Sequence, residues 1–323
     1  MKKIAVIILA VSVILSVFAA VFGGRLKREE NSMNDSEESR VKIVTTLFPL
    51  YDFARQVGGG EADISLLLPP GSEAHSYEPS PQAIASIQSA DVFIYTGKEM
   101  EPWVAEVLEA IAGSNLIVVD SSSGVNLIKL DSDEDEESGH EGDDTGHSFD
   151  PHIWLDFANA AVIVENIASG LEAADPGRGH TYKKNAENYK NKLFELDANF
   201  KESLSDCERK DLVHGGHYAF GYLARRYGLN YVAAQGFSAD SEASPKTLVS
   251  LVEMVRQKGV RYIFYEELID PKIARTIANE TGAELLLLNA AHNIAKDDFE
   301  GGATFLLIME KNLINLRKGL GCR

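Results

Sequence analysis

The feature that most constrains this chain is an alternation that occurs twice. Short apolar runs at residues 41–46, 64–68, 92–96 and 116–120 read as strands, with helices expected over 51–57, from Pro81 onward and over 103–111. The pattern returns at 212–213, 231–234, 261–265 and 284–288, with helices expected over 218–227, 245–257, 271–281 and 302–320. Short apolar strands separated by helices imply parallel sheets covered on both faces. Between the two series lies a stretch, 156–204, that is helical in pattern and broken once, at Asp175-Pro176-Gly177. Its second part, 182–204, amounts to about six turns, long enough to run from one domain into the other. "EPSPQAIASI" at 78–87 and "EASPKTLVSL" at 242–251 echo each other across the two series. In each, a Ser caps and a Pro opens a helix.

The ends and the charge add further bounds. Met1-Lys2-Lys3 precedes an uncharged, mostly apolar run over 4–24, and a polar, charged tether follows over 25–40. That is the pattern of an export signal or of a single N-terminal anchor. Roughly 20 apolar residues would just span a bilayer, so both readings stand. Either one puts residue 41 onward outside the cytoplasm. The formal net charge of -18 argues against nucleic acid as a partner. Residues 131–150 hold ten acidic side chains and no Lys or Arg. Within them, 131–147 carries His140 and His147, lacks apolar periodicity and is expected to be disordered. The two cysteines, Cys207 and Cys322, are expected to form a disulfide in an oxidising compartment. The expected organisation is therefore a leader at 1–24, a tether at 25–40, an α/β lobe at 41–180, a linking helix at 181–205 and a second α/β lobe at 206–323.

In open α/β sheets, ligands gather outside the carboxyl ends of the strands. His75 falls there, in "LPPGSEAHSYEPSP", and so does His217, in "HGGHYAFGYLARRYGL". Glu266 ends "RYIFYE", Asn289 ends "ELLLLN", and His152 lies in "FDPHIWLD" just before the connecting helices. Three imidazoles from separate loops, meeting in a cleft between domains, describe a metal site with one open position. His214 competes with His217, being three residues earlier at the strand end. His292 is either a fourth ligand or an exposed side chain, and His180, at a helix start, reads as solvated. A zinc-dependent hydrolase is the rival class, with Glu266 as the acid beside a bound water. The chain contains no His-Glu-x-x-His helix and no nucleophile elbow.

"PGSEAHSYEPSP", "DPHIWLD", "HYAFGYLARRYGL", "EASP", "IFYEE" and "NLINLRKGLGC" occur in one order and spacing. Together they resemble the metal-binding proteins of zinc and manganese ABC importers, over about residue 41 to the C-terminus. The resemblance implies two α/β lobes, each with a mostly parallel sheet flanked by helices, joined by one long rigid helix, with a single metal ion between them. It places metal ligands on His75, His152 and His217. Members with His at the third position favour zinc and members with Glu favour manganese, so His217 points to Zn2+, with Mn2+ the alternative. The fourth family position, usually Asp, falls here on Asn289, which leaves Glu266, His292 or water as other candidates. By resemblance, the loop with His140 and His147 captures zinc weakly and raises its local concentration. The implied partner is an ABC transporter membrane permease, and the implied molecule is a monomeric extracytoplasmic carrier, not an enzyme.

Overall fold

A computed structural model describes residues 40–130, 149–237, 243–268 and 270–323. The expected leader, most of the tether and the acidic loop with His140 and His147 lie outside the described residues. The first sheet is parallel, in the order β2 (Ala62–Leu66), β1 (Val41–Thr45), β3 (Val92–Tyr95), β4 (Ile117–Asp120). Helices α1 (Phe48–Gly58), α2 (Pro81–Gln88) and α3 (Val104–Ala110) make the crossovers. Then α4 (Phe157–Ala174) and the 25-residue α5 (Gly179–Ser203) lead into the second series. There the strands are β5 (Asp211–His214), β6 (Asn230–Ala233), β7 (Tyr262–Tyr265) and β8 (Glu284–Leu287), also parallel, in the order β6-β5-β7-β8. Their helices are α6 (Gly221–Tyr227), α7 (Pro245–Lys258), α8 (Lys272–Thr281), α9 (Lys296–Glu300) and α10 (Phe305–Leu320).

The two sheets thus share one winding, and the sequence echo has a structural counterpart. Ser80 and Ser244 each accept a hydrogen bond from the backbone three residues on, at the starts of α2 and α7. In both sheets the winding reverses between the first and second strands to be paired at the centre, β1 with β3 and β5 with β7. A crevice opens at such a reversal, outside the strands' carboxyl ends.

The first helix and the long helix each begin up to three residues earlier than expected, at Phe48 and Gly179, and two other starts fall later for a local reason. The last helix begins at Phe305, because Thr304 caps it by accepting from the Leu307 N–H and Gly302 lies in the left-handed region. Helix α6 begins at Gly221, because residues 218–219 are spent elsewhere. The Tyr218 N–H bonds the Gly236 carbonyl, and the Ala219 N–H bonds the His217 carbonyl.

One large core cluster includes Ile43 and Val92 of the first sheet, Leu212 and Phe264 of the second, and residues of α1, α4, α5, α6 and α10. Phe305, opening α10, meets Phe53 of α1 edge-on at 5.0 Å, and Phe157 of α4 meets Phe200 of α5 at 5.4 Å. Asp52 of α1 accepts from the Phe305 N–H at 2.9 Å and from the Tyr189 hydroxyl of α5 at 3.3 Å. The two lobes therefore share buried surface, and sliding one past the other would expose it. Cys207 and Cys322 form a disulfide that ties the end of α10 to the start of the second lobe. Among the described residues, no helix is long and apolar enough to cross a membrane.

Candidate metal centre

Four histidines converge where the loops from both sheets meet. His75 lies in the loop after β2, half-buried. His152 follows Pro151 and opens a short 3-10 turn, Ile153–Leu155, whose Trp154 is fully buried and donates to the Ala290 carbonyl at 2.7 Å. His217 follows β5 after two glycines. A Cβ at Gly216 would collide with the Glu266 carboxylate, and one at Gly215 would collide with Ala274 of α8. Only glycine lets the His217 loop come this close to β7 and α8.

The ring geometry is close to that of a coordination sphere. His152 Nε2 lies 3.3 Å from His75 Nε2 and 3.3 Å from His217 Nε2. The three ring centroids are 5.2, 5.3 and 5.3 Å apart, nearly an equilateral triangle. A tetrahedral zinc with Zn–N bonds of about 2.0–2.1 Å spaces its ligand nitrogens about 3.3–3.4 Å apart. His292 lies beside this group, its ring 5.5 Å from His217, 5.9 Å from His75 and 6.3 Å from His152.

Carboxylates stand behind three of these rings. Asp150 Oδ1 meets His152 Nδ1 at 2.8 Å and also accepts its backbone N–H at 3.0 Å. Glu266 pairs with His217 Nδ1 and accepts the His217 backbone N–H at 3.2 Å. Glu267 Oε1 lies 3.7 Å from His292 Nδ1. A carboxylate on the far nitrogen fixes an imidazole's tautomer and orientation and raises its basicity toward a metal. His152 and His217 are wholly buried, and His292 is 4% exposed.

Burial shapes the electrostatics. It lowers His292 to about 3, so this ring is neutral and its lone pair available. It pushes Asp150 up to about 7, against the hydrogen bond from the His152 backbone. Glu266 is the exception: burial would raise it, but the attraction and hydrogen bonding of His217 outweigh that and hold it at about 2. Beside ionised Glu266, burial drives Glu267 up to about 8.

His214 points its Nδ1 at the His217 carbonyl, 3.1 Å away, and burial lowers it to about 4, so it braces the loop. Glu266 backs His217. Asn289, the position given by the resemblance for a fourth ligand, spends its side-chain oxygen on the Ala291 N–H at 2.7 Å, while Asn312 clamps its backbone N–H and carbonyl. That local turn holds Ala291 in the left-handed region and presents the next residue, His292. Asp150 and Glu267 were not singled out from sequence. The signal for Asp150 was its position two residues before a histidine across a proline. For Glu267, nothing in "YEEL" tells which carboxylate turns toward which ring.

Parallel sheets of like winding facing one histidine-lined cleft define a two-lobed solute-binding protein. The chain belongs to the ZnuA family, described as zinc-uptake complex component A, periplasmic, whose family model matches residues 43–319. It is 34% identical to the "Zinc-binding protein AdcA" of Streptococcus pyogenes over 317 residues, 94% of this chain and 60% of that protein. It is 35% identical to the "High-affinity zinc uptake system protein ZnuA" of Bacillus subtilis, over 88% of this chain and 89% of that protein. Among solved structures, the Zn(II)-bound ZnuA-like domain of Streptococcus pneumoniae AdcA aligns with a TM-score of 0.74 at 36% identity, over 87% of this chain and 99% of that one. The chain spans about 60% of the length of the streptococcal AdcA relatives it matches.

Proposed function

We infer that the protein captures zinc outside the cytoplasm and delivers it to the membrane permease of an ABC importer. His75, His152 and His217 hold the ion in the cleft, and His292 supplies the fourth ligand. The observation that carries this reading is the 3.3 Å spacing of His152 Nε2 from the Nε2 atoms of His75 and His217. It is the edge expected of a zinc tetrahedron. An all-imidazole set favours zinc over manganese, which prefers oxygen ligands. The family match and the zinc-binding names of the relatives agree with this choice.

Capture needs little rearrangement, because the lobes share one core and two rings, His152 and His217, are already braced by carboxylates. The family is one of transport binding proteins, and the carrier reading makes the protein no enzyme. Glu266, the acid a hydrolase would need beside a metal-bound water, is engaged by both the ring and the backbone of His217. The apolar segment at 4–24 and the periplasmic description of the family support an extracytoplasmic location. The acidic balance fits a cation carrier that acts as a monomer and avoids nucleic acid.

The test is metal analysis of protein purified without added metal, followed by competition between zinc and manganese. One zinc per chain, retained against excess manganese, is expected. Manganese displacing zinc, or a protein that takes up neither tightly, would refute the reading. Hydrolysis of simple esters by the zinc-loaded protein would restore the enzyme alternative.

A further inference from the structure

A second group of potential ligands overlaps the first. Glu73, His75 and His292 bring one ligand atom each within 4.8 Å of one another, as do His75, His152 and His217. The two groups share His75 and differ in depth. Glu73 and His75 are half-buried, whereas His152 and His217 have no exposed surface. The outer group is also held together by the fold. Asn293, fully buried, donates from its side chain to the Pro69 carbonyl at 2.9 Å and to the Ser72 carbonyl at 2.6 Å. The Gly71 N–H bonds the Ile294 carbonyl at 2.9 Å. These bonds lash the loop bearing Glu73 and His75 to the segment bearing His292.

We propose that Glu73, His75 and His292 form an outer station through which zinc enters and leaves the buried histidines. The proposal rests on the zinc reading above and adds a path to it. A hydrated ion cannot reach His152 and His217 in one step, since both rings are closed off from solvent. It meets the Glu73 carboxylate and the His75 imidazole first. With His292 these give three protein ligands, and water fills the remaining position. The ion then moves inward by trading Glu73 and water for His152 and His217, while His75 and His292 stay bound. Release runs the same steps backward. No stage leaves the metal stripped, so the exchange stays fast even though the final site is buried and tight. Because both stations use His75, they are occupied in turn and the stoichiometry stays at one.

A residue that holds the ion only in transit lowers the barrier in both directions and leaves the equilibrium unchanged. Glu73→Gln is a suitable variant, because the amide oxygen can still accept the His75 backbone N–H that Glu73 Oε1 accepts at 3.0 Å. Zinc uptake is followed by stopped flow, and release by transfer to a chromophoric chelator. Both rates are expected to fall about tenfold, a barrier change of about 1.4 kcal/mol, with Kd within twofold of the parent. Glu78→Gln, which removes an exposed acid from the same loop, should change neither rate.

Unchanged rates in Glu73→Gln would overturn the proposal and leave Glu73 as a cap on the His75 backbone. Slower uptake with unchanged release would overturn it in favour of long-range attraction, which acts on association. Weaker binding with faster release would make Glu73 a ligand of the final site, also against the proposal. Failure of the zinc reading itself would look different, since the parent protein would then show no tight zinc to time.

Discussion

Two charged clusters lie between the lobes, built from similar side chains and left in opposite states. At the junction, Arg226 of α6 grips Asp197 of α5 through two nitrogens at 2.6 Å and Asp156, the cap of α4, at 2.7 Å. Lys201 and the Tyr227 hydroxyl complete the hydrogen bonding of Asp197. Two carboxylates face two cations, and the cluster is closed. In the cleft, Asp150, Glu266 and Glu267 each face a histidine, and among the described residues no Lys or Arg pairs with them. Asp150 and Glu266 back His152 and His217, whose ligand atoms gather with that of His75 within 4.8 Å. A balanced cluster leaves no charge to be met from outside, whereas acids and lone pairs gathered with no Lys or Arg in contact make a place for a cation.

Substitutions should separate the two. The largest effect on zinc should come from His217→Ala. Its affinity loss, measured by chelator competition, should exceed the roughly 10–100-fold that an outer-shell partner is worth. Replacing His140 and His147 together should cost far less, and equal losses would dissolve the distinction between cleft and loop. Asp197→Asn should act on the other side of the comparison. It breaks a buried pair and should cost about 3 kcal/mol of stability in urea unfolding of the metal-free protein, while the folded variant keeps its zinc Kd within a few-fold. A large loss of affinity at unchanged stability would mean that the junction belongs to the site. Glu266→Gln should weaken zinc by roughly 10–100-fold, because His217 loses the carboxylate that orients it.

The smallest effect is in the acid limb of stability. Burial would raise Asp197, but hydrogen bonds from Arg226, Lys201 and Tyr227 outweigh it and hold the carboxyl at about 2. A carboxyl held below its unfolded value stabilises the fold above that value, about 3.9, and the contribution is lost as pH falls toward 2. Unfolding measured across this window should show a steep acid limb in the parent protein and a flatter one in Asp197→Asn. Parallel limbs would remove Asp197 from the account.

Much of this architecture was legible in the chain, and the reasons differ by element. Strands such as Val92–Tyr95 announce themselves because both faces are covered and every residue can be apolar. The histidine-bearing loops were legible because the carboxyl ends of parallel strands are where a crevice opens. Proline before His152 and paired glycine before His217 marked backbones under constraint. What stayed hidden depends on side-chain direction. Asn289 occupies the position where the resemblance calls for a ligand, yet its oxygen turns back to the Ala291 N–H, and His292 faces the cleft instead. That choice rests on one left-handed residue, Ala291, at φ 61°, which no periodicity encodes. Glu73 was likewise invisible, because its nearness to His292 depends on Asn293 tying two distant loops together.

The most direct measurement is X-ray absorption at the zinc edge of the loaded protein. A shell of four nitrogens at about 2.0 Å, with the outer scattering of imidazole rings, is expected. A shell dominated by oxygen, with imidazole scattering from two rings or fewer, would contradict it.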